Sequence, residues 1–204
     1  MPKAITYNST YHNNLILVYP DQKLGCQKDI LQSLEKLFVH MTNKHSKVLF
    51  IRFDVRYPFN YQLQETQTNK LFSRFMAALV LYYQRQGYDP HYLWVRDGSD
   101  GAHPHYHVVF MLNGHKAKYY MPVLKNAEQL WGYQLKQNAK GLIFYCNRDW
   151  NGNPQDNGIC IRRDRAGYRE TYNRCFRWGS SLAKASSKEC TPYYTRQYGL
   201  SRLT

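Results

Sequence analysis

Asp97-Gly-Ser-Asp-Gly-Ala-His-Pro-His-Tyr-His-Val-Val-Phe-Met-Leu-Asn113 is the stretch from which the fold is read. A carboxylate closes one apolar run, Tyr92 to Arg96. A Gly-rich turn follows, and His105 and His107 head a second apolar run, Val108 to Leu112, in a strand from Tyr106 to Leu112. Residues two apart in a strand point to one face, so the two imidazoles stand side by side. Imidazole suits transition metals such as manganese, and a carboxylate suits magnesium or manganese. If the two runs form a hairpin, Asp97 comes close to the pair, giving a two-histidine, one-carboxylate site for Mn2+ or Mg2+. The competing reading is a pair of strand histidines facing solvent, because eight histidines make a His-x-His easy to meet by chance. His103 reads as a loop residue held extended by Pro104.

Outward from this hairpin, the pattern alternates between strand and helix periods. Val48 to Val55 alternates, with Leu49, Ile51, Phe53 and Val55 on one side and Arg52, Asp54 and Arg56 on the other. That predicts a strand with a core face and a charged face, the latter either solvated or holding phosphates. Residues 27–43 and 66–87 carry apolar residues at helical spacing, the second ending at Gly87. Pro122 starts a helix over 122–139, stopped by Gly141. Leu142 to Cys146 is a fourth strand, 147–158 a turn-rich loop, and Ile159 with Ile161 a fifth short strand. A last helix spans about 170–186. Residues 1–25, with an apolar patch at Leu15–Tyr19, read as an arm or edge segment.

From Val48 on, the order is strand–helix–strand–strand–helix–strand, the split βαβ or ferredoxin-like order. The expected fold is α+β: an antiparallel sheet of about five strands, helices on one face, and an open face carrying the metal pair. Asp97 then has the wrong parity with Leu93 and Val95, which asks for a bulge at the strand end.

The chain has 204 residues, enough for one domain with a sizeable core. Residues 1–44 read as arm and first helix, and 45–204 as the functional core. Lys and Arg number 28 against 14 Asp and Glu, a formal charge of +14, with pI about 9.6. Such an excess suits a polyanion, nucleic acid first and acidic membrane second. The 19 tyrosines, interleaved with cations, suit single strands, where bases lie on rings and cations follow phosphates. They equally suit a core with its hydroxyls at the surface. Five scattered cysteines without a Cys-x-x-Cys exclude a zinc knuckle and a disulfide framework. With no leader-like start and no apolar run of membrane length, a soluble cytoplasmic protein is expected.

His105-Tyr106-His107 resembles the His–hydrophobic–His motif of the HUH endonucleases, which nick single-stranded DNA on a ferredoxin-like sheet. Five blocks in order are similar to the inovirus-type replication initiators, the gene II protein-like family also found in bacterial prophages. They are Arg52–Tyr57, Trp94–Asp97, His105–His107, Ser180–Lys184 and Tyr198–Arg202, and the likeness covers about residues 45–204.

The resemblance implies a rolling-circle-type initiator in a bacterial cytoplasm. It would bind single-stranded DNA at an origin hairpin or nick site, with a host helicase as a further partner and no membrane. Asp97, His105 and His107 would hold the metal, with Asp54 the alternative third ligand. Arg52, Asp54, Arg56, Tyr57, Arg96 and Arg202 would contact DNA. A tyrosine on the late helix would leave a 5′-phosphotyrosine link and a free 3′-hydroxyl, with Lys184 beside it. Here the chain departs from the family pattern, because Ser181 stands where the tyrosine is expected. The chain is then nicking-deficient, engineered or natural, or the nucleophile has moved to Tyr172, Tyr193 or Tyr194. A Ser-x-x-Lys pair of the penicillin-binding type lacks its partner motifs. Two other readings stay open: a non-catalytic DNA- or RNA-binding module on the same sheet, and a metal-dependent nuclease that uses water.

Overall fold

Four two-residue strands lead into the first helix: β1 (Ile5–Thr6), β2 (Thr10–Tyr11), β3 (Asn14–Leu15) and β4 (Cys26–Gln27). β1 pairs with β4, and β2 with β3, the second pair turning through left-handed His12 and Asn13. The structure, a computed structural model, describes residues 4–18, 25–62, 68–98, 103–149, 151–185 and 194–204. Tyr19 of the apolar patch, Cys190, Tyr193 and residues 99–102 of the Gly-rich turn lie outside the described residues.

The helix α1 (Lys28–Lys44) buries Ile30, Leu31, Leu34, Leu37, Phe38 and Met41, one stripe at 3.6-residue spacing. Next come β5 (Lys47–Val55), α2 (Lys70–Gln84), β6 (His91–Asp97), β7 (His105–Asn113) and α3 (Met121–Leu135). Then follow β8 (Ile143–Phe144), β9 (Ile159–Arg162), α4 (Tyr168–Ser180), a 3-10 turn at Ser181–Ala183, and β10 (Tyr198–Leu200). The main sheet has six strands in the order β10-β6-β7-β5-β8, with β9 also on β5, and all its pairs are antiparallel. No helix among the described residues is long and apolar enough to cross a membrane.

β8 and β9 share one edge of β5, at Asp54–Val55 and Lys47–Phe50 respectively. Between them the Arg52 backbone has no strand partner on that side. The Asn157 side chain fills the gap, accepting from Arg52 N at 3.0 Å and donating to Arg52 O at 2.6 Å. A buried strand cannot leave its N–H and C=O unpaired without cost.

The two faces of the sheet explain where the expected architecture needs correction. On one face Leu49, Ile51, Phe53, Val55, Tyr106, Val108, Phe110 and Leu112 pack with residues of α2 and α3. On the other, Val48, Phe50, Leu93, Val95, Val109 and Met111 pack with α1 and α4. Helices therefore lie on both faces rather than one, and the charged side of β5 is charged along only half its length. Val48 and Phe50 pack in the core under α1 and α4, while Arg52 and Asp54 lie outside that core.

This division also removes the parity conflict. Val95 pairs with His107 and Asp97 with His105, so Leu93, Val95 and Asp97 share the histidines' face. No bulge is needed; the apolar residues on that face belong to a second core.

Smaller boundaries differ as well. α3 ends at Leu135 because Lys136 turns left-handed, well before Gly141. α4 ends at Ser180, so Ser181 lies in the 3-10 turn. The tail residues Tyr198–Leu200 form an edge strand on β6.

Candidate metal centre

Register places the site. β7 lies between β5 and β6, pairing His107 with Asp54 on one side and Val95 on the other, and His105 with Asp97. Directly paired residues in an antiparallel sheet share a face. One ligand atom each from Asp97, His105 and His107 lies within 4.8 Å of the others. The imidazole rings stand 4.9 Å apart between centroids, at 89°. Two imidazoles and one carboxylate converging from two strands form a mixed N/O donor set that could hold a divalent metal ion.

His107 is held from both sides. Its Nδ1 lies 2.6 Å from Asp54 Oδ1 and its Nε2 lies 3.1 Å from Asp97 Oδ2. This separates the roles of the two carboxylates. Asp97 belongs to the converging group; Asp54 grips the far nitrogen, fixing the ring orientation as a carboxylate behind a metal-bound histidine does. In this geometry Asp54 stands behind the His107 ring, and Asp97 stands in the converging group.

The electrostatics follow from this grip. Burial disfavours the His107 imidazolium, but the hydrogen bonds and charges of Asp54 and Asp97 outweigh it and raise its pKa. Burial also works against the Asp54 carboxylate, yet the His107 hydrogen bond and nearby cations lower its pKa. His105 is shifted down, by burial first and then by the charge of His107. His105 is therefore ready to ligate as a neutral base, whereas His107 must give up its Nε2 proton to do so.

The remaining predicted residues divide into near and far. Arg52 lies two residues from Asp54 on the same face, its guanidinium 5.6 Å over Trp178 and its Nη1 3.5 Å from Trp178 O. Arg56 is exposed, stacks 5.4 Å over Phe144, and its charge reaches His105. Arg96 and Tyr57, expected at DNA, lie on the opposite side. Arg96 is buried and donates to Asn69 Oδ1 and Tyr106 Oη, both at 3.1 Å. Tyr57 is buried among Tyr61, Tyr106 and Trp131. Both point under the sheet because their parity is that of the α2–α3 core. Arg202 follows Leu200, which pairs with Leu93, and so lies toward the His91 end of β6, away from Asp97.

At the expected nucleophile position, Ser181 Oγ donates to Trp178 O at 2.8 Å. Lys184 closes the 3-10 turn, its N–H reaching Ser181 O at 3.3 Å. Gly179 lets this end of α4 settle on the sheet: an added Cβ would stand 3.1 Å from Leu34 Cδ1 and 3.6 Å from Val109 Cγ2. Val109 is the next residue on the face after His107, so the end of α4 borders the site. Tyr172 is buried. It lies in the second core against Phe38 and Phe176, and burial pushes its phenol up to about 12. Tyr194 is almost fully exposed and stands beside Thr68, Asn69 and Trp94, at the α2 side of the sheet.

Sequence reading missed Trp178, the ring on which Arg52 rests, and the role of Asp54 behind His107. The pairing register of β5 with β7 was the signal that would have assigned Asp54. No curated protein and no solved structure matches the chain. The profile of the YagK/YfjJ C-terminal domain matches residues 8–201, and the chain belongs to that family.

Proposed function

We propose that this chain is a metal-binding, single-stranded-DNA-binding domain of the HUH endonuclease type, on a ferredoxin-like sheet, related in role to rolling-circle replication initiators. The observation that carries the reading is the convergence of Asp97, His105 and His107, with Asp54 gripping His107 from behind. The sheet order supports it: β5 and β7 are central, with β6 and β8 outside, the order of a split βαβ.

A divalent cation on these residues would polarise a phosphate oxygen. Asp54, on the Nδ1 side, would keep the His107 ring turned with Nε2 available to such a cation. Arg52 and Arg56 flank the pair and offer guanidinium groups to the neighbouring phosphates. Position 181, at the end of α4, is where an attacking side chain would enter. In a nicking enzyme a phenolate there forms the new O–P bond, the P–O3′ bond breaks, and the departing 3′ oxygen takes a proton.

Ser181 does not meet this requirement. A serine hydroxyl is far less acidic than a phenol, which ionises near 10. It is also shorter by a ring, and its hydrogen is engaged by Trp178 O. Near-attack placement does not tolerate such a gap. The chain therefore binds metal and single strand without forming a covalent adduct. The engaged Ser181 and buried Tyr172 also favour a second reading, a purely non-catalytic binding module.

The test pairs calorimetry with denaturing gels. Mn2+ should bind the chain and not its His105→Ala/His107→Ala form, with folding retained. With a library of single-stranded hairpin oligonucleotides and Mn2+ or Mg2+, Ser181→Tyr should give a protein–DNA band that survives denaturation, and the unmodified chain none. Metal binding without any adduct from Ser181→Tyr would leave the non-catalytic module as the better reading.

A further inference from the structure

Beside the metal centre, on the far side of Arg52, lies a second concavity. It has a volume of about 460 Å³, within the range of small-ligand sites. Arg174, Arg177 and Trp178 of α4 form one wall, Leu17 and Ile159 add apolar surface, and the 154–156 segment forms the rim. We propose that this pocket takes one nucleotide of single-stranded DNA, its base stacked on Trp178 and its phosphate on Arg174 and Arg177. The proposal rests on the reading above and adds to it the place where the strand leaves the metal centre.

Three observations carry it. First, the wall combines one half-buried indole with two exposed guanidinium groups at spacings of three and four residues, which one helix face presents together. A ring next to cations is the chemistry of sequence-tolerant single-strand binding, where bases stack and cations follow the backbone. A purely apolar ligand would have no use for the arginines, and a free anion none for the indole.

Second, the pocket is joined to the metal centre by Arg52. Its guanidinium lies over the Trp178 ring at 5.6 Å, with Nη1 3.5 Å from Trp178 O. Arg52 and Asp54 are two residues apart on one strand face, roughly 7 Å along the strand, so Arg52 links the Asp54 that grips His107 to the Trp178 wall of the pocket. A strand passing the metal centre thus meets Arg52 and then Trp178 without leaving the surface.

Third, the pocket is built rather than incidental. Trp178 is backed by Phe50 at 5.7 Å between centroids. The rim hairpin is ordered by Asp149, whose carboxylate accepts from the N–H groups of Asn151 and Asn153. On the rim, Asp156 lies 3.5 Å from Arg174 and shields part of its charge. The same carboxylate can accept from an exocyclic base amine, as it does for cytosine N4 in direct readout, so the pocket favours amine-bearing bases over thymine.

Fluorescence anisotropy with a labelled single strand tests this, using the full chain with Mn2+. Trp178→Ala should weaken binding about tenfold, the loss of one stacked base, while Trp178→Phe keeps most of the affinity. A strand with one abasic position scanned along its length should show one position where Trp178→Ala costs nothing further. Arg174→Gln with Arg177→Gln should flatten the dependence of log affinity on log salt by about 1.4, two single-strand phosphates. Calorimetric Mn2+ binding should be unchanged in every variant. If the unmodified chain binds metal but no single strand, this proposal and the DNA reading fall together. If it binds single strands and Trp178→Ala and the double Arg change leave affinity and salt slope intact, this proposal alone is overturned. Equal loss at every abasic position overturns the stacked base, and tighter binding of the matching RNA through Trp178 overturns the assignment to DNA.

Discussion

Asp54 and Asp97 touch the two nitrogens of one ring, and substitution can separate their roles. Asp54→Asn keeps the shape and removes the charge behind His107, so Mn2+ affinity should fall by about tenfold while folding is retained. Asp97→Ala removes a ligand and should abolish measurable binding. Calorimetry at pH 7.5 distinguishes them; abolition by Asp54→Asn would make Asp54 a ligand instead. The proton on His107 adds a pH dependence. Because the two carboxylates raise its pKa, metal must displace a more firmly held proton, and Mn2+ affinity should weaken as pH falls through that raised value. His105, shifted down, adds little in the same range.

At the level of elements, the edge strand β10 is fastened through one glycine. A Cβ on Gly199 would stand 2.7 Å from Trp94 Cε2 and Nε1. The indole cannot retreat, since it is buried edge-on against Phe72 and Tyr106. Gly199→Ala should therefore destabilise the chain by about 1–3 kcal/mol in urea unfolding, the range for overpacking, with Mn2+ affinity unchanged. This strand also marks the limit of what the sequence disclosed. The α1 stripe, the alternation of β5 and the apolar run of β7 were legible because each extends over several turns or pleats. β10 and the paired N-terminal strands are two or three residues long and carry no period. The covering of both faces was hidden for a different reason. Alternation tells which residues share a face, but not whether that face is covered along its whole length. Val48 and Phe50 share the parity of Arg52 and Asp54, yet they lie in the second core under α1 and α4. The pair His105–His107 and Asp97 was legible as a site; Asp54's grip needed the register of two strands far apart in sequence.

Across the whole molecule, the face of β6 that carries Asp97 also carries ionisable groups at its other end. His91 stands edge-on to His40 of α1 at 4.7 Å, and lies 3.4 Å from Asp89 and 3.2 Å from Ser201 Oγ. Asp89 also takes His45 at 2.6 Å and Lys44 at 3.2 Å. His91 and His40 are both shifted below the ordinary histidine value, by burial first; for His91 the pull of Asp89 opposes this, and Lys44 adds to it for both. A folded state with lowered histidine pKa values binds fewer protons than the unfolded chain. Its stability from these groups is fully present above about pH 6.5 and is lost as pH falls toward the lowered values. Asp89 and Asp54, both lowered, have the same sign in a window below about pH 4. His107 has the opposite sign: raised in the folded state, it contributes below about pH 6.5 and loses that contribution as pH rises through its folded value. The metal-free chain should therefore show a urea midpoint that falls between pH 6.5 and 5, with the loss partly offset at the other end of the sheet. His40→Leu removes one opposing histidine and relieves His91 of its charge, so the fall should shrink. His107→Gln removes the offset, so the fall between pH 7.5 and 5 should grow. Identical pH profiles in all three proteins would mean that neither end of the sheet controls the acid response.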